Sequence, residues 1–388
     1  MKGLLLAIFA FVVLANEIKA QEDMNATPLS FEAVEDGTVI TITNRNGVFL
    51  KYAFLTYLSA DNWREDVSYS LNETLTLTLA KGAVLNLRAA KPNTFSGNFT
   101  ITASKDVYVY GNPLSLVSQA DYPTMTDLSG CPDGVLKELF CNGWDGNPHI
   151  KNHPTRDIVL PATTLSNSCY YKMFQGTGLT RAPLLPAMTL TNSCYNYMFW
   201  GCKDLVEAPA LPATTLADEC YYAMFYGCSA LTEAPALPAT TLTYGCYGNM
   251  FRDCTSLTSA PVLPASTLVQ DSYYWMFYGC KNLKYLKCLA TDISAISCTD
   301  NMLGNVSHTG TFVKADGMND WTRDYNGIPE GWTIINASEE PTAIDHSILS
   351  IDHSSDAVYD LQGRLIITVN SQLPKGVYIV NGKKISVR

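Results

Sequence analysis

The stretch that decides the fold is residues 231–254, Leu231-Thr-Glu-Ala-Pro-Ala-Leu-Pro-Ala-Thr-Thr-Leu-Thr-Tyr-Gly-Cys-Tyr-Gly-Asn-Met-Phe-Arg-Asp-Cys254. Its Met250-Phe251 pair returns as Met173-Phe174, Met198-Phe199, Met224-Phe225 and Met276-Phe277, and decays to Met302-Leu303. The step is 25 residues once and 26 thereafter. The Leu-Pro pairs beginning at Leu160, Leu185, Leu211, Leu237 and Leu263 keep the same step, with Leu289-Ala290 as a degenerate sixth. Two markers in register over six copies mark a repeat array, in which each unit buries its apolar face against its neighbours.

Each copy divides into two halves. The first, Leu-Thr-x-Ala-Pro-x-Leu-Pro, is expected to be extended, because proline fixes φ near −65° and pushes its predecessor towards β or polyproline geometry. The second, Cys-Tyr-x-x-Met-Phe-x-x-Cys, fits a short helix. Cys246 and Met250 stand four apart, as do Tyr247 and Phe251, and residues so spaced share one helical face. Extended segment, loop, helix and return make an α+β leucine-rich repeat solenoid, whose period runs from about 20 to 29 residues. Pro183, Pro209, Pro235 and Pro261 occupy its strand position in register. Proline cannot donate to a sheet ladder, so the concave sheet should be very short or broken along that column.

The cysteines follow the repeat. Cys169, Cys194, Cys220 and Cys246 form one column, and Cys202, Cys228, Cys254 and Cys280 another. Stacked copies bring equivalent residues together, so both columns read as ladders of small buried side chains. Disulfides between copies are the alternative in an exported chain. Copies about 4.8 Å apart come within disulfide reach, although parallel Cβ vectors fit the bond poorly.

Before the repeats, residues 28–118 alternate with period two. The runs 38–43, 75–79, 84–88, 99–102 and 107–110, with turn signals at Asn46-Gly47 and Lys81-Gly82, predict an antiparallel β-sandwich of about six strands. Residues 119–336 form the repeat array with its caps. Leu136-Lys-Glu-Leu-Phe-Cys141 resembles a degenerate Met-Phe segment and reads as part of the N-terminal cap, since terminal repeats must cover an open core. Residues 337–352 are a linker by composition, and 353–388 alternate as a small β unit. Residues 1–20 have the form of an export signal: Lys2, the apolar run Leu4 to Leu14, and a cleavage site at Ile18-Lys-Ala20. No apolar run approaches the ~20 residues of a membrane span.

The Leu-Pro-Ala-Thr-Thr-Leu segments at 160–165, 211–216 and 237–242 and the Cys-Tyr-x-x-Met-Phe-x-Gly-Cys segments at 194–202 and 220–228 resemble the BspA-like leucine-rich repeat surface proteins of the Bacteroides and Prevotella group. The Phe31-Glu-Ala33 opening, Val109-Tyr-Gly-Asn112, and Asn319-Asp-Trp-Thr322 followed by Gly327-Ile-Pro-Glu-Gly-Trp-Thr333 are similar to that group as well. The resemblance spans roughly residues 28–336. It implies a secreted or cell-surface protein that binds host matrix proteins, host cells or other bacteria. Val358-Tyr-Asp-Leu-Gln-Gly-Arg364, Leu373-Pro-Lys-Gly-Val-Tyr-Ile-Val380 and the basic end at Arg388 resemble a C-terminal sorting domain of the type IX secretion system, shorter than the full-length form.

Composition excludes some functions. With 26 Lys and Arg against 36 Asp and Glu, the net charge is −10, opposite to the basic footprint of nucleic-acid binding or of electrostatic docking on anionic membranes. His149 and His153 share a loop with Asp145 and Asp157, without a helix to hold a metal-ligand spacing. Ile344-Asp-His-Ser347 and Ile351-Asp-His-Ser354 offer the residue types of a triad, but as linker neighbours they cannot converge as triad members do. The thiols lack the adjacent base or positive field that a nucleophile needs. The sequence therefore points to no enzyme, no cofactor and no metal. Variable positions of the second half remain: Gln175, Trp200, Tyr226, Arg252 and Tyr278 after Met-Phe, and Tyr171, Asn196, Tyr222, Gly248 and Tyr274 after Cys-Tyr. Aromatics and Arg carry binding hot spots, so Trp200, Tyr226, Arg252, Tyr278, Tyr171, Tyr222 and Tyr274 are the candidate partner-binding residues. Packing between copies is the alternative role. The expected partner is a protein or glycan ligand at the cell surface; a glycan-binding module is the first alternative function, and a secreted hydrolase centred near His149 and His153 the second. Arg181, Glu207, Glu233 and Ser259 read as a solvated row.

Overall fold

The computed structural model describes residues 24–45, 49–54, 63–68, 73–89, 99–143, 146–324 and 326–340, together with four strands beyond residue 357. Two units are distinguished, one ending at Ile334 and the other running from Ile335 to Arg388. The export signal, the Asn46-Gly47 turn, Asp145 and both Ile-Asp-His-Ser segments lie outside the described residues.

The period-two runs form strands within a residue of their expected bounds. β1 (Leu29–Ala33), β2 (Thr38–Asn44), β3 (Phe49–Phe54), β4 (Arg64–Ser68), β5 (Thr74–Leu79), β6 (Val84–Ala89), β7 (Phe99–Ala103) and β8 (Val107–Tyr110) come first in the chain. β2 shows why: its residues alternate buried and half-buried along the whole strand, as one-sided burial of a pleated strand requires. β5, β2 and β7 make one antiparallel sheet. The second has the order β4-β3-β6-β1-β8-β9, and its last strand, β9 (Ile150–Asn152), comes from beyond the cap segment and pairs parallel with β8. Asn147 ties the two regions together: its Nδ2 donates to the carbonyls of Ile101 and Phe140 at 2.9 and 3.1 Å. One hydrophobic core runs from Leu29 through the repeats to Trp332.

In the repeats the helix expected over Cys-Tyr-x-x-Met-Phe does not form, and the α+β assignment gives way to a mostly β chain. Among the described residues, helix is confined to residues 24–26 and a 3-10 turn at Pro113–Leu116. The second half of each copy is a ribbon of successive turns. Tyr171, Met173, Gln175 and Thr177 donate to the carbonyl three residues back, while Tyr170, Lys172, Phe174 and Gly176 donate to Cys194, Asn196, Met198 and Trp200 in the next copy, at 2.7–3.0 Å. Alternate N–H groups are thus committed between copies, which the i to i−4 bonding of an α-helix would forbid. Every fourth residue turns left-handed: Ser168 (φ 53°), Lys172 (54°) and Gly176 (65°) in one copy, Gly245 (57°), Asn249 (56°) and Asp253 (58°) in another. Glycine, Asn and Asp tolerate that conformation best, which accounts for the Gly of Met-Phe-x-Gly-Cys.

A four-residue period places Cys169 with Met173 and Tyr170 with Phe174 on the buried side, all at most 1% exposed. Stacking these copies produces the ladders. Phe140, Phe174, Phe199, Phe225, Phe251 and Phe277 follow each other at centroid distances of 5.4–5.7 Å. Tyr170, Tyr195, Tyr221, Tyr247 and Tyr273 do so at 5.8–6.2 Å. Phe140 is the first rung of the phenylalanine ladder, in the segment read as the cap. All twelve cysteines are buried and unpaired.

The first halves of the copies show at most isolated bridges, such as Arg181 with Glu207 and Thr189 with Thr215. Where the proline column ends, at Lys287, a strand appears: β10 (Tyr285–Cys288) pairs parallel with β11 (Gly310–Lys314), and β12 (Trp332–Asn336) completes a three-stranded sheet. Trp332, 2% exposed, lies over Gly310, whose added Cβ would stand 2.6 Å from the indole. The segment beyond Ile334 holds β13 (Val358–Asp360), β14 (Leu365–Ile366), β15 (Gly376–Val380) and β16 (Lys383–Val387), antiparallel in the order β14-β13-β15-β16.

Candidate functional site: an aromatic face with two cations

The turn ribbon carries three columns besides its Cys-Tyr and Met-Phe ladders, half-buried where they hold Tyr, Trp, Lys172 or Arg252 and buried at Gln175, Asn196, Ala223, Gly248 and Asn249. Two are the columns expected from the sequence. The third is the left-handed position before Met: Lys172, Tyr197, Ala223, Asn249 and Trp275. At about 100° per residue a helix would also turn that position away from the Cys-Tyr and Met-Phe side, so the recurrence of Lys, Tyr and Trp there was a signal available in the sequence.

All seven candidate residues are half-buried and stand on this ribbon. They form two clusters, each around a cation. In the first, the Lys172 ammonium lies 5.1, 5.4 and 5.9 Å from the ring centroids of Tyr171, Tyr197 and Trp200. Tyr197 touches Tyr171, Trp200 and Tyr222 edge-on or tilted at 5.4–6.1 Å, and Trp200 stacks on Tyr226 at 5.8 Å. In the second, the Arg252 guanidinium lies 5.0, 4.4 and 5.3 Å from Tyr226, Trp275 and Tyr278. Trp275 contacts Tyr278 at 4.3 Å and Tyr274 at 5.9 Å. Tyr226 therefore joins both clusters into one face across the copies.

The face is held from below. The Tyr222 ring covers Gly248, where a Cβ would come within 2.8 Å. The Tyr222 hydroxyl accepts from Asn249 Nδ2 at 3.0 Å, and Asn249 Oδ1 accepts from Arg252. Burial, with Tyr197, Tyr274 and Glu219 nearby, pushes the Tyr222 phenol up to about 12. Packing and presentation are thus combined: one edge of each ring lies on its neighbours and the other faces outwards. Gln175 and Asn196 do not belong to the face. Gln175 is 5% exposed and donates to the Gly143 carbonyl, and Asn196 is 4% exposed beside Glu219.

The histidines do not converge. His149 Nδ1 meets Asp106 at 2.8 Å. His153 Nδ1 accepts from the Thr155 and Arg156 N–H groups, both at 3.1 Å, and its Nε2 faces Glu32 at 3.4 Å. Asp157 instead pairs with Arg181, whose guanidinium also donates to the His153 carbonyl, so Arg181 is tied down rather than solvated. Among the described residues no group of three or more His, Cys, Asp or Glu is arranged to hold a metal, and no helix is long and apolar enough to cross a membrane. Burial pushes the thiols up, Cys202 to about 11 and Cys194 and Cys246 to about 12. Cys202, Cys228, Cys254 and Cys280 donate to the carbonyls of Phe174, Phe199, Phe225 and Phe251 at 2.9–3.1 Å.

Comparison with protein-family models, with curated proteins and with solved structures finds no match.

Proposed function

We propose that this chain is an exported, non-enzymatic binding protein that engages a macromolecular partner through the face of Tyr171, Lys172, Tyr197, Trp200, Tyr222, Tyr226, Arg252, Tyr274, Trp275 and Tyr278. The observation that carries the reading is the continuity of that face over successive copies around two cations. Aromatic rings and Arg offer large contact area at low entropic cost, and such residues dominate binding energy. The repeat period, the proline-bearing first half and the resemblance to BspA-like proteins favour a leucine-rich repeat solenoid whose second half is a turn ribbon. The same resemblance, with the N-terminal apolar run and the Tyr-Asp-Leu-Gln-Gly-Arg tail, favours a location at the cell surface after type IX export. Matrix proteins, host cells and other bacteria are the partner classes it implies.

The test is binding of the mature chain to a panel of matrix proteins, host cells and bacterial cells, with Trp200→Ala and Tyr226→Ala alongside. Loss of binding with an unchanged unfolding midpoint supports the face. No partner in the panel, or binding untouched by both substitutions, counts against it. A glycan panel run with the same variants separates a sugar partner from a protein one. Surface labelling of cells expressing the chain with and without residues 342–388 tests the location.

A further inference from the structure

A second surface follows from an imbalance in how the copies are joined. In the turn half, every copy from the third to the fifth is fully bonded to the next: Tyr221 to Cys246, Ala223 to Gly248, Phe225 to Met250, then Tyr247 to Ser272, Asn249 to Tyr274 and Phe251 to Met276, at 2.7–3.2 Å. In the extended half, the second copy bridges to the third at Arg181–Glu207 and Thr189–Thr215, and the fifth to the sixth at Ser259–Tyr285, Leu263–Cys288 and Thr267–Asp292. Among the described residues, the extended half of the fourth copy bridges to neither the third copy nor the fifth. Among the described residues, no backbone N–H or carbonyl from residue 232 to 242 has a hydrogen-bond partner. Yet the segment is anchored, with Leu237 at 3%, Ala239 at 1% and Leu242 at 6% exposure. Thr232, Glu233, Ala236, Pro238, Thr240 and Thr241 are exposed, so backbone groups along the segment are accessible and can exchange water for main-chain bonds from an added extended chain.

The open side of that segment is a groove of about 840 Å³, between residues 206–212 of the third copy and residues 232–238 of the fourth. Ala210 and Ala236 leave it open, since they occupy the exposed column that carries Leu184 and Val262 in the neighbouring copies. Glu207 and Glu233 stand in register at one end, both exposed.

We infer that this groove docks an extended peptide segment of a partner protein, held by main-chain hydrogen bonds to residues 208–211 and 232–237, with small side chains over Ala210 and Ala236 and a Lys or Arg beside Glu207 and Glu233. Addition of an extended chain to an unpaired edge draws affinity from main-chain bonds and specificity from alternate side chains. The prolines limit the register, since Pro209, Pro212, Pro235 and Pro238 offer carbonyls but no N–H. This surface is separate from the aromatic face, and either can fail without the other.

The experiment uses the full mature chain and two panels of nine-residue synthetic peptides of alternating Ala, Val and Thr, one ending in Lys-Arg and the other in Glu-Glu. Binding is read by fluorescence anisotropy and mapped by hydrogen exchange. The basic panel should bind saturably and at least tenfold tighter than the acidic one. Bound peptide should slow exchange in residues 206–212 and 232–242 only. N-methylation of alternate peptide amides should abolish binding. Ala210→Leu and Ala236→Leu should weaken binding at least tenfold while leaving the unfolding midpoint in place, because Leu184 and Val262 are 69% and 47% exposed in the same column. Three results would overturn the inference: no saturable binding in either panel, protection that maps to the turn ribbon (residues 168–177, 193–202, 219–228, 245–254 and 271–280) instead, or slow exchange of residues 232–242 in the peptide-free protein.

Discussion

Substitutions at the left-handed column separate a turn ribbon from a helix by the sign of their effect. Gly245 and Ser168 occupy equivalent positions at φ 57° and 53°. Were this half helical, Gly245→Ala would stabilise it by about 1 kcal/mol and Ser168→Gly would destabilise it by several tenths. In the ribbon the order reverses. A Cβ at left-handed φ costs about 1–2 kcal/mol, and the lower chain entropy of Ala in the unfolded state recovers only about half of that. Space adds little, since the new Cβ would meet Glu219 Cγ at 3.4 Å. Gly245→Ala should therefore destabilise by about 1 kcal/mol, and Ser168→Gly, whose hydroxyl makes no hydrogen bond among the described residues, should stabilise by a few tenths. In a unit of this size a change of 1 kcal/mol moves the thermal midpoint by about 1–3 °C. Unfolding followed by far-UV circular dichroism, with both variants and the wild type in one buffer, reads the two shifts. A raised midpoint for Gly245→Ala together with a lowered one for Ser168→Gly would refute the turn-ribbon account.

Other perturbations probe other parts of the molecule. Phe225, fully buried between Phe199 and Phe251, should cost about 3–5 kcal/mol when changed to Ala, and the loss should appear in urea titrations as a lowered midpoint. The Tyr247 hydroxyl is buried with no hydrogen-bond partner, so Tyr247→Phe should be neutral or stabilise by about 1 kcal/mol; a clear loss would reveal a bond to that hydroxyl. All twelve thiols should resist maleimide in the native protein and react in denaturant without reductant, since burial both hides them and raises their pKa values; fewer thiols after denaturation would mean disulfides. His153 gives the pH dependence. Burial, then the charges of Arg156 and Arg181, hold it below the ordinary 6.5 against the pull of Glu32. The folded state thus keeps it neutral while the unfolded chain takes a proton near 6.5, so its contribution is complete above that pH and is lost as pH falls below it. The midpoint should decline between pH 7 and 5 by more in the wild type than in His153→Gln.

Sequence periodicity located the repeat, its two halves, the buried columns and the alternating strands, because all of these follow from which side chains must leave water. It failed on the backbone of the second half for a definite reason. Over the eight residues from Cys246 to Asp253, a period of four and a period of 3.6 place the same side chains inside. The distinguishing signal lay in residue types at the positions that turn left: Gly, Asp, Asn and Ser recur there, while Glu219, Ala223 and Trp275 obscure the pattern. Lys172, Tyr197 and Trp275 were missed for another reason: their column also holds Ala223 and Asn249, so it shows no steady residue type. The joining of Asn147 to Ile101 and Phe140 had no sequence signal, since nothing in the local pattern says which distant carbonyls a buried amide will meet.

The proline column shows how one substitution type divides labour within a copy. Pro183, Pro209, Pro235 and Pro261 remove the N–H that a continuous sheet would need, and the first half there has at most isolated bridges. At Lys287 the column ends, and β10 forms at once. The turn ribbon therefore carries the hydrogen bonding that holds the copies together, through five bonds across the third and fourth copies alone: Glu219, Tyr221, Ala223, Phe225 and Gly227 each donate to the next copy. With cohesion secured on one side, the other is released from pairing. Lys287→Pro makes this testable. It should break the bond from the Leu263 N–H to the Lys287 carbonyl and disturb the register of β10 against β11, at a cost of about 2–3 kcal/mol. Exchange should then rise in residues 285–288 and 310–314 while the turn ribbon from 271 to 280 stays protected. If protection fell in both, the two halves would be one cooperative unit, and the extended edge would not be free to serve a partner.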